Sequence, residues 1–172
     1  MSVDLGMLVL RVLFGAAMAA HGGQKLFGWF GGYGLKATGG FFEQLGFRPG
    51  VAFAAAAGLS EFGGGVLLAV GLFTPFGAAA ILAAMLVAMA TVHLKNGFFA
   101  MTNGIELPLL YATVALGFLL GGGGVLSFDA LLRLEFLNDP NIVGAIFVLT
   151  LIGTGVTLSL RKRVDAHSVA AR

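Results

Sequence analysis

Charge is scarce in this sequence, and cysteine is missing altogether. Of its 172 residues, 10% are charged, 58% are hydrophobic and none is Cys. A soluble domain carries about 25% charged residues, so the charges here are too few to cover a water-facing surface. That excludes an ordinary soluble enzyme and a disordered chain. The net charge of +2 comes with no basic face, which excludes a nucleic-acid binder despite a pI near 9.3. Without cysteine the chain cannot form disulfides, thiolate nucleophiles, Cys-ligated zinc or iron–sulfur clusters. Any redox chemistry must use a bound cofactor, a substrate thiol or a partner protein. The 28 glycines lie mostly inside apolar runs, as in membrane helices. With a mean hydropathy of +0.97, the composition is that of an all-α integral membrane protein.

A membrane helix needs about 20 mostly apolar residues, and five stretches qualify. The first runs from about Leu5 to Ala20, with a continuation to Phe27 open, and contains Arg11. The second, Val51 to Phe73, contains Glu61 and ends at a Thr74-Pro75 turn, since Pro cannot continue a helix. The third spans Phe76 to about Leu94, and the fourth Glu106 to about Leu120, closed by Gly121 to Gly124. The fifth runs from Asn141 to Leu160 and stops at Arg161-Lys162-Arg163. Ala17-Met18-Ala19 resembles a signal-peptide cleavage site. However, the segment before it has Asp4 and no basic residue, and Arg11 lies within the apolar run, so it reads as a retained helix.

Five spans put the chain ends on opposite sides. Lys25, Lys36, Arg48, Lys95, Arg161, Lys162, Arg163 and Arg172 fall on one side, and Arg133 on the other. The positive-inside rule then places the N-terminus outside and the C-terminus in the cytoplasm, in a bacterial-type cytoplasmic (inner) membrane. Trp29, Phe30 and Tyr33 read as interface anchors. Phe41, Phe42, Leu45 and Phe47 read as a short interfacial helix, and Ser127 to Leu137 as a second one with Ser127 as N-cap.

Polar residues inside spans are expensive and normally face a partner in the bundle interior. From helical rise, Arg11 and Glu61 differ in depth by only about 6 Å, which predicts an Arg11–Glu61 ion pair. The pair either fixes helix register or makes Glu61 a proton or ligand site. Gly63-Gly64-Gly65 admits a neighbouring backbone or a flat ligand. A second group gathers at the cytoplasmic ends: His21 and Lys25 on one helical face, His93, Glu106, and Tyr111 one to two turns deeper. Each has a structural alternative: a capping box Asn103-x-x-Glu106, an interfacial histidine at His93, a snorkelling Lys25. Together they form a candidate polar pocket. Glu61, His93 and Glu106 would handle protons, while Arg11, His21, Lys25 and Tyr111 would bind the polar head of a quinone or similar amphiphile. No tight His spacing points to a metal. His167, in the charged tail, has no evident partner.

Several motifs in order carry a family likeness. These are Arg11 with Phe14-Gly15, His21-Gly22-x-x-Lys25-Leu26, Glu61-Phe62-Gly63-Gly64, Gly71-Leu72-Phe73-Thr74, His93, Glu106-x-x-Leu109-Leu110-Tyr111, and Gly121 to Gly124 leading to Ser127-Phe128-Asp129. In these the chain resembles the DoxX family of small membrane proteins, related to the DoxD subunit of thiosulfate:quinone oxidoreductase, from about Leu5 to Leu132. The resemblance implies a four-helix transmembrane bundle over residues 1–132. Residues 133–172 then add a fifth transmembrane helix and a basic cytoplasmic tail. It also implies redox metabolism, with quinone as the possible cofactor or substrate.

Three functions follow as alternatives, some catalytic and some not: a quinone-interacting oxidoreductase or the membrane subunit of a redox complex, a non-catalytic accessory or scaffold subunit, and a small-molecule carrier. The expected partners are membrane lipids and a membrane protein or second copy. Gly144, Gly153 and Gly155 on the fifth helix offer close helix contacts.

Overall fold

A computed structural model describes residues 2–162; Arg163, His167 and Arg172 lie outside the described residues. These form helices and connections, with no strand among them. The helices are α1 (Ser2–Phe27), α2 (Gly34–Gln44), α3 (Gly50–Val70), α4 (Thr74–Ala88), α5 (Glu106–Gly121), α6 (Phe128–Leu131) and α7 (Pro140–Ser159). A π turn at Met89–His93 and a 3-10 turn at Leu94–Asn96 prolong α4. Four helical stretches are long and apolar enough to cross a membrane: Ser2–Phe27, Gly50–Val70, Thr74–Asn96 and Pro140–Ser159. α5 is apolar but has only 16 residues, or about 24 Å of helix.

The bundle is built on glycine. α1 packs most extensively on α3, and the contact faces carry Gly15 and Gly22 on one helix and Gly58 and Gly65 on the other. Both pairs are seven residues apart, two turns on the same face. A Cβ at Gly15 would lie 2.5 Å from the Ala69 nitrogen, and one at Gly22 would lie 2.6 Å from the Gly58 carbonyl. The backbones therefore touch, the contact that small residues allow between membrane helices. Of the three consecutive glycines, Gly64 meets α4 at Gly77, Gly65 meets α1 at Ala19, and Gly63 faces open space. The triplet thus serves helix contacts on two sides.

α4 forms the centre, packed by α3, α5 and α7. The core joins Met18, Leu68, Ile81, Leu82, Met85, Phe118, Leu119 and Ile146. Outward positions are apolar too, with Leu13 66% and Leu149 66% exposed. A surface of that kind belongs in hydrocarbon, so the chain is an integral membrane protein.

Two local expectations change. Residues 127–137 are not one helix. α6 ends at Leu131, and Arg133 adopts a left-handed φ of 55° before a 3-10 turn at Glu135–Asn138. Ser127 does cap α6, its Oγ accepting from the Ala130 nitrogen at 3.2 Å. Phe47 is not part of an interfacial helix, since α2 ends at Gln44. It is fully buried between the rings of Phe42 and Phe53, at 5.8 and 5.0 Å.

Candidate functional site

The predicted Arg11–Glu61 pair does not form. The α1–α3 register is set by Gly15 against Gly65 and Ala69, and by Gly22 against Gly58 and Phe62. That register places Arg11 opposite Gly71 and Glu61 opposite the last turns of α1, about ten residues or roughly 15 Å apart in depth. Depths counted from the span ends missed this, because α1 runs on to Phe27 and the glycine contacts fix the register.

Glu61 instead pairs with Lys25, whose Nζ donates to both carboxylate oxygens. The Glu61 side chain is 3% exposed and that of Lys25 31%. Lys25 sits in the last turn of α1, where the helix dipole favours a cation. It turns inward to an acid on α3 and does not snorkel away from the bundle.

The pair lies on the wall of a cavity of about 320 Å³. α4 supplies Ala83, Ala84, Val87 and Ala88, and the π turn adds Thr91, Val92 and His93. α3 contributes Phe53, Ala56, Ala57 and Ser60 beside Glu61; α2 contributes Phe41 and Phe42, with Leu45 just after it; α7 contributes Gly153, Thr154 and Thr157. The walls are thus mostly small or aromatic, with one ion pair and a few hydroxyls, the usual make-up of a small-molecule site. α3 and α7 both pack on α4 but scarcely on each other, which leaves a cleft between them. Lys25 and Phe41 also line a second cavity, of about 430 Å³, with His21, Gln24 and Tyr33.

His93 reaches the cavity because the π turn widens α4 there; such turns recur at functional sites. Its Nδ1 lies 2.9 Å from the Asn103 carbonyl. A carbonyl only accepts, so Nδ1 carries a proton and donates in this contact.

Other candidates fall elsewhere. His21 packs against the Tyr111 ring at 5.8 Å, on the second cavity's side. Glu106 accepts from the Ala100 nitrogen at 2.8 Å and ties the loop before α5. Asn103 does not complete a capping box: it has a left-handed φ of 59°, and Ile105 precedes the helix. The structure thus brings together Lys25, Glu61 and His93, while Arg11, Glu106 and Tyr111 lie off the cavity lining. Among the described residues, no three His, Asp or Glu side chains are placed to hold a metal.

Arg11 belongs to a junction at the opposite end of the bundle. It is 1% exposed, and its Nη2 donates to the Leu126 carbonyl at 2.7 Å. Asp129, also buried, supplies the nearby negative charge. Its carboxylate accepts from the Phe73 and Thr74 nitrogens at 2.6 and 2.9 Å, and so caps α4. In the sequence Asp129 shows only as the end of the Ser127-Phe128-Asp129 motif, and Thr154 only as one threonine among several on α7.

A DoxX family model matches residues 6–94, just over half of the 172 residues. The match covers Lys25, Glu61 and His93 and stops before α5. A Haemophilus influenzae protein described only as uncharacterized is 34% identical over 67 residues, 39% of this chain and 44% of its own length. The chain thus spans less than half the length of that relative. No solved structure matches. With the family model covering α1 to α4, three of them long and apolar enough to cross a membrane, the chain belongs to the DoxX family.

Proposed function

We propose that the chain binds a quinone-type amphiphile in the cavity between α2, α3, α4 and α7, as a membrane oxidoreductase or the membrane subunit of one. The observation that carries this reading is the Lys25–Glu61 pair placed on a mostly apolar cavity wall. Burying charges is costly, and here they lie where a ligand's polar head can meet them. Reduction of a quinone consumes two electrons and two protons. Glu61 and His93 are the groups placed to pass protons, while the electrons come from a soluble reductant or a partner protein, since the chain has no cysteine.

The test is equilibrium binding of decylubiquinone to the purified full chain in nanodiscs. Wild type is expected to bind saturably, and Glu61→Gln to weaken binding about tenfold or more, the usual loss when a buried charge pair is cut. Non-saturable partitioning, equal for both proteins, would overturn the reading.

A scaffold subunit is the second reading. It is favoured by α7, where a Cβ added at Gly144, Gly153 or Gly155 would meet nothing within 4 Å and Leu149 and Ile152 are exposed. A protein that purifies alone and monodisperse from its native membrane would count against it.

The orientation is part of the proposal. Lys25, Lys36, Arg48, Lys95, Arg161 and Lys162 gather at the end holding α2 and the C-terminus of α7, while Arg133 stands alone on the opposite loop. That end faces the cytoplasm by the positive-inside rule. Because the chain has no native thiol to interfere, the check is direct. In intact cells a membrane-impermeant maleimide is expected to label Arg133→Cys and to spare Lys36→Cys. The reverse pattern would turn the protein over.

A further inference from the structure

α7 lies beyond residue 94, where the family match ends, yet it walls the cavity through Gly153, Thr154 and Thr157. Its threonines differ. Thr150 and Thr157 donate their hydroxyls to the Ile146 and Gly153 carbonyls, four residues back, at 2.7 and 2.8 Å. That is the ordinary local bond for a hydroxyl in a helix. Thr154 is 7% exposed, and its Oγ1 is buried without a hydrogen-bond partner. A buried hydroxyl left unbonded in apolar surroundings is unfavourable, and such a group calls for an explanation.

We propose that Thr154 is a ligand-binding residue: its hydroxyl donates to a carbonyl oxygen of an amphiphile that enters the cavity from the bilayer through the cleft between α3 and α7. This rests on the quinone-type reading of the cavity and deepens it. The Lys25–Glu61 pair and Thr154 stand on different walls, so the ligand must offer acceptors on two sides, as a ring with two carbonyls does. The cleft supports lateral entry, since Ala56 on α3 and Gly153 on α7 are both exposed and both line the cavity. Selectivity among amphiphiles is then set partly by a helix outside the matched region.

The experiment is binding of decylubiquinone to the full chain in nanodiscs, with Thr154→Val, Thr154→Ser, Thr150→Val and Glu61→Gln. Thr154→Val preserves shape and removes the donor, so its affinity should fall about fivefold to tenfold, the worth of one hydrogen bond. Thr154→Ser should bind as wild type. Thr150→Val should do the same, because that hydroxyl is satisfied by its own backbone and lies off the cavity lining. Should valine lower the Tm, Thr154→Ala reads the same hydroxyl. Wild-type affinity in Thr154→Val, or an equal loss in Thr150→Val, overturns the proposal. If Glu61→Gln weakens binding while Thr154→Val does not, Thr154 has no ligand role and the cavity reading stands. If wild type itself does not bind saturably, both fall.

Discussion

Lys25→Met is expected to destabilise the protein by about 3–5 kcal/mol, because it leaves Glu61 buried without its counter-charge. The two partners are not equivalent. Glu61 is almost wholly enclosed, while a third of Lys25 reaches the surface. Removing the lysine strands a carboxylate that is only 3% exposed. Removing the charge of the acid, as in Glu61→Gln, leaves an ammonium whose flexible stem can swing outward, and should cost about 1–3 kcal/mol. The double variant Lys25→Met/Glu61→Gln is expected to recover most of the loss, since no unpaired charge remains. Thermal unfolding in detergent of the four proteins of this cycle decides the matter. A Lys25→Met protein with the Tm of wild type would show that the pair does not hold α1 to α3.

The second large effect lies at the far end of the bundle. Gly71 ends α3 in a left-handed conformation, φ 70°, with its nitrogen bonded to the Leu67 carbonyl at 2.9 Å. Its carbonyl accepts from the Asp129 nitrogen at 2.8 Å, and the Arg11 guanidinium occupies the space where a Cβ would stand. Gly71→Ala therefore combines an unfavourable backbone with overpacking against a buried cation. Together these should cost about 2–5 kcal/mol. Asp129→Asn should cost about 3–5 kcal/mol, because it removes the charge facing Arg11. Asn also keeps only one of the two oxygens that receive the Phe73 and Thr74 nitrogens. Unfolding followed by circular dichroism should give early melting for both variants. Gly6→Ala, whose added Cβ would meet nothing within 4 Å, is the control expected to melt as wild type. If Asp129→Asn also melts as wild type, the junction is not a structural lock.

The spans were legible because hydrocarbon imposes a composition that any apolar run of sufficient length declares. Glu61 was legible as a singular residue for the same reason, since a charge in such a run is conspicuous. Its partner was not. Pairing depends on the relative slide of two helices, and that slide is fixed by where glycines let the backbones meet. Gly15, Gly22, Gly58 and Gly65 carry that information, but 28 glycines give no means of picking these four from one helix alone. Asp129 was hidden differently. Its partners lie on the turn at Phe73 and Thr74, brought to it only when α6 folds back over the end of α3. The capping box at Asn103 misled because the spacing was right while the loop's hydrogen bonds went to His93 and Asn96.

The π turn at Met89–His93 also changes the phase of its helix. Upstream, Ala83 and Ala84, then Val87 and Ala88 one turn later, share one α-helical face. A regular helix would carry that face to Thr91 and Val92 and turn His93 away by about 100°. The wider turn follows a five-residue step, so His93 falls in line with Ala88 and all three reach the cavity. One residue of extra winding thus lets a helix whose earlier turns pack the bundle present an imidazole at its end. Ordinary α winding of the same residues, with none deleted, would turn His93 to another face and leave the upstream contacts in place.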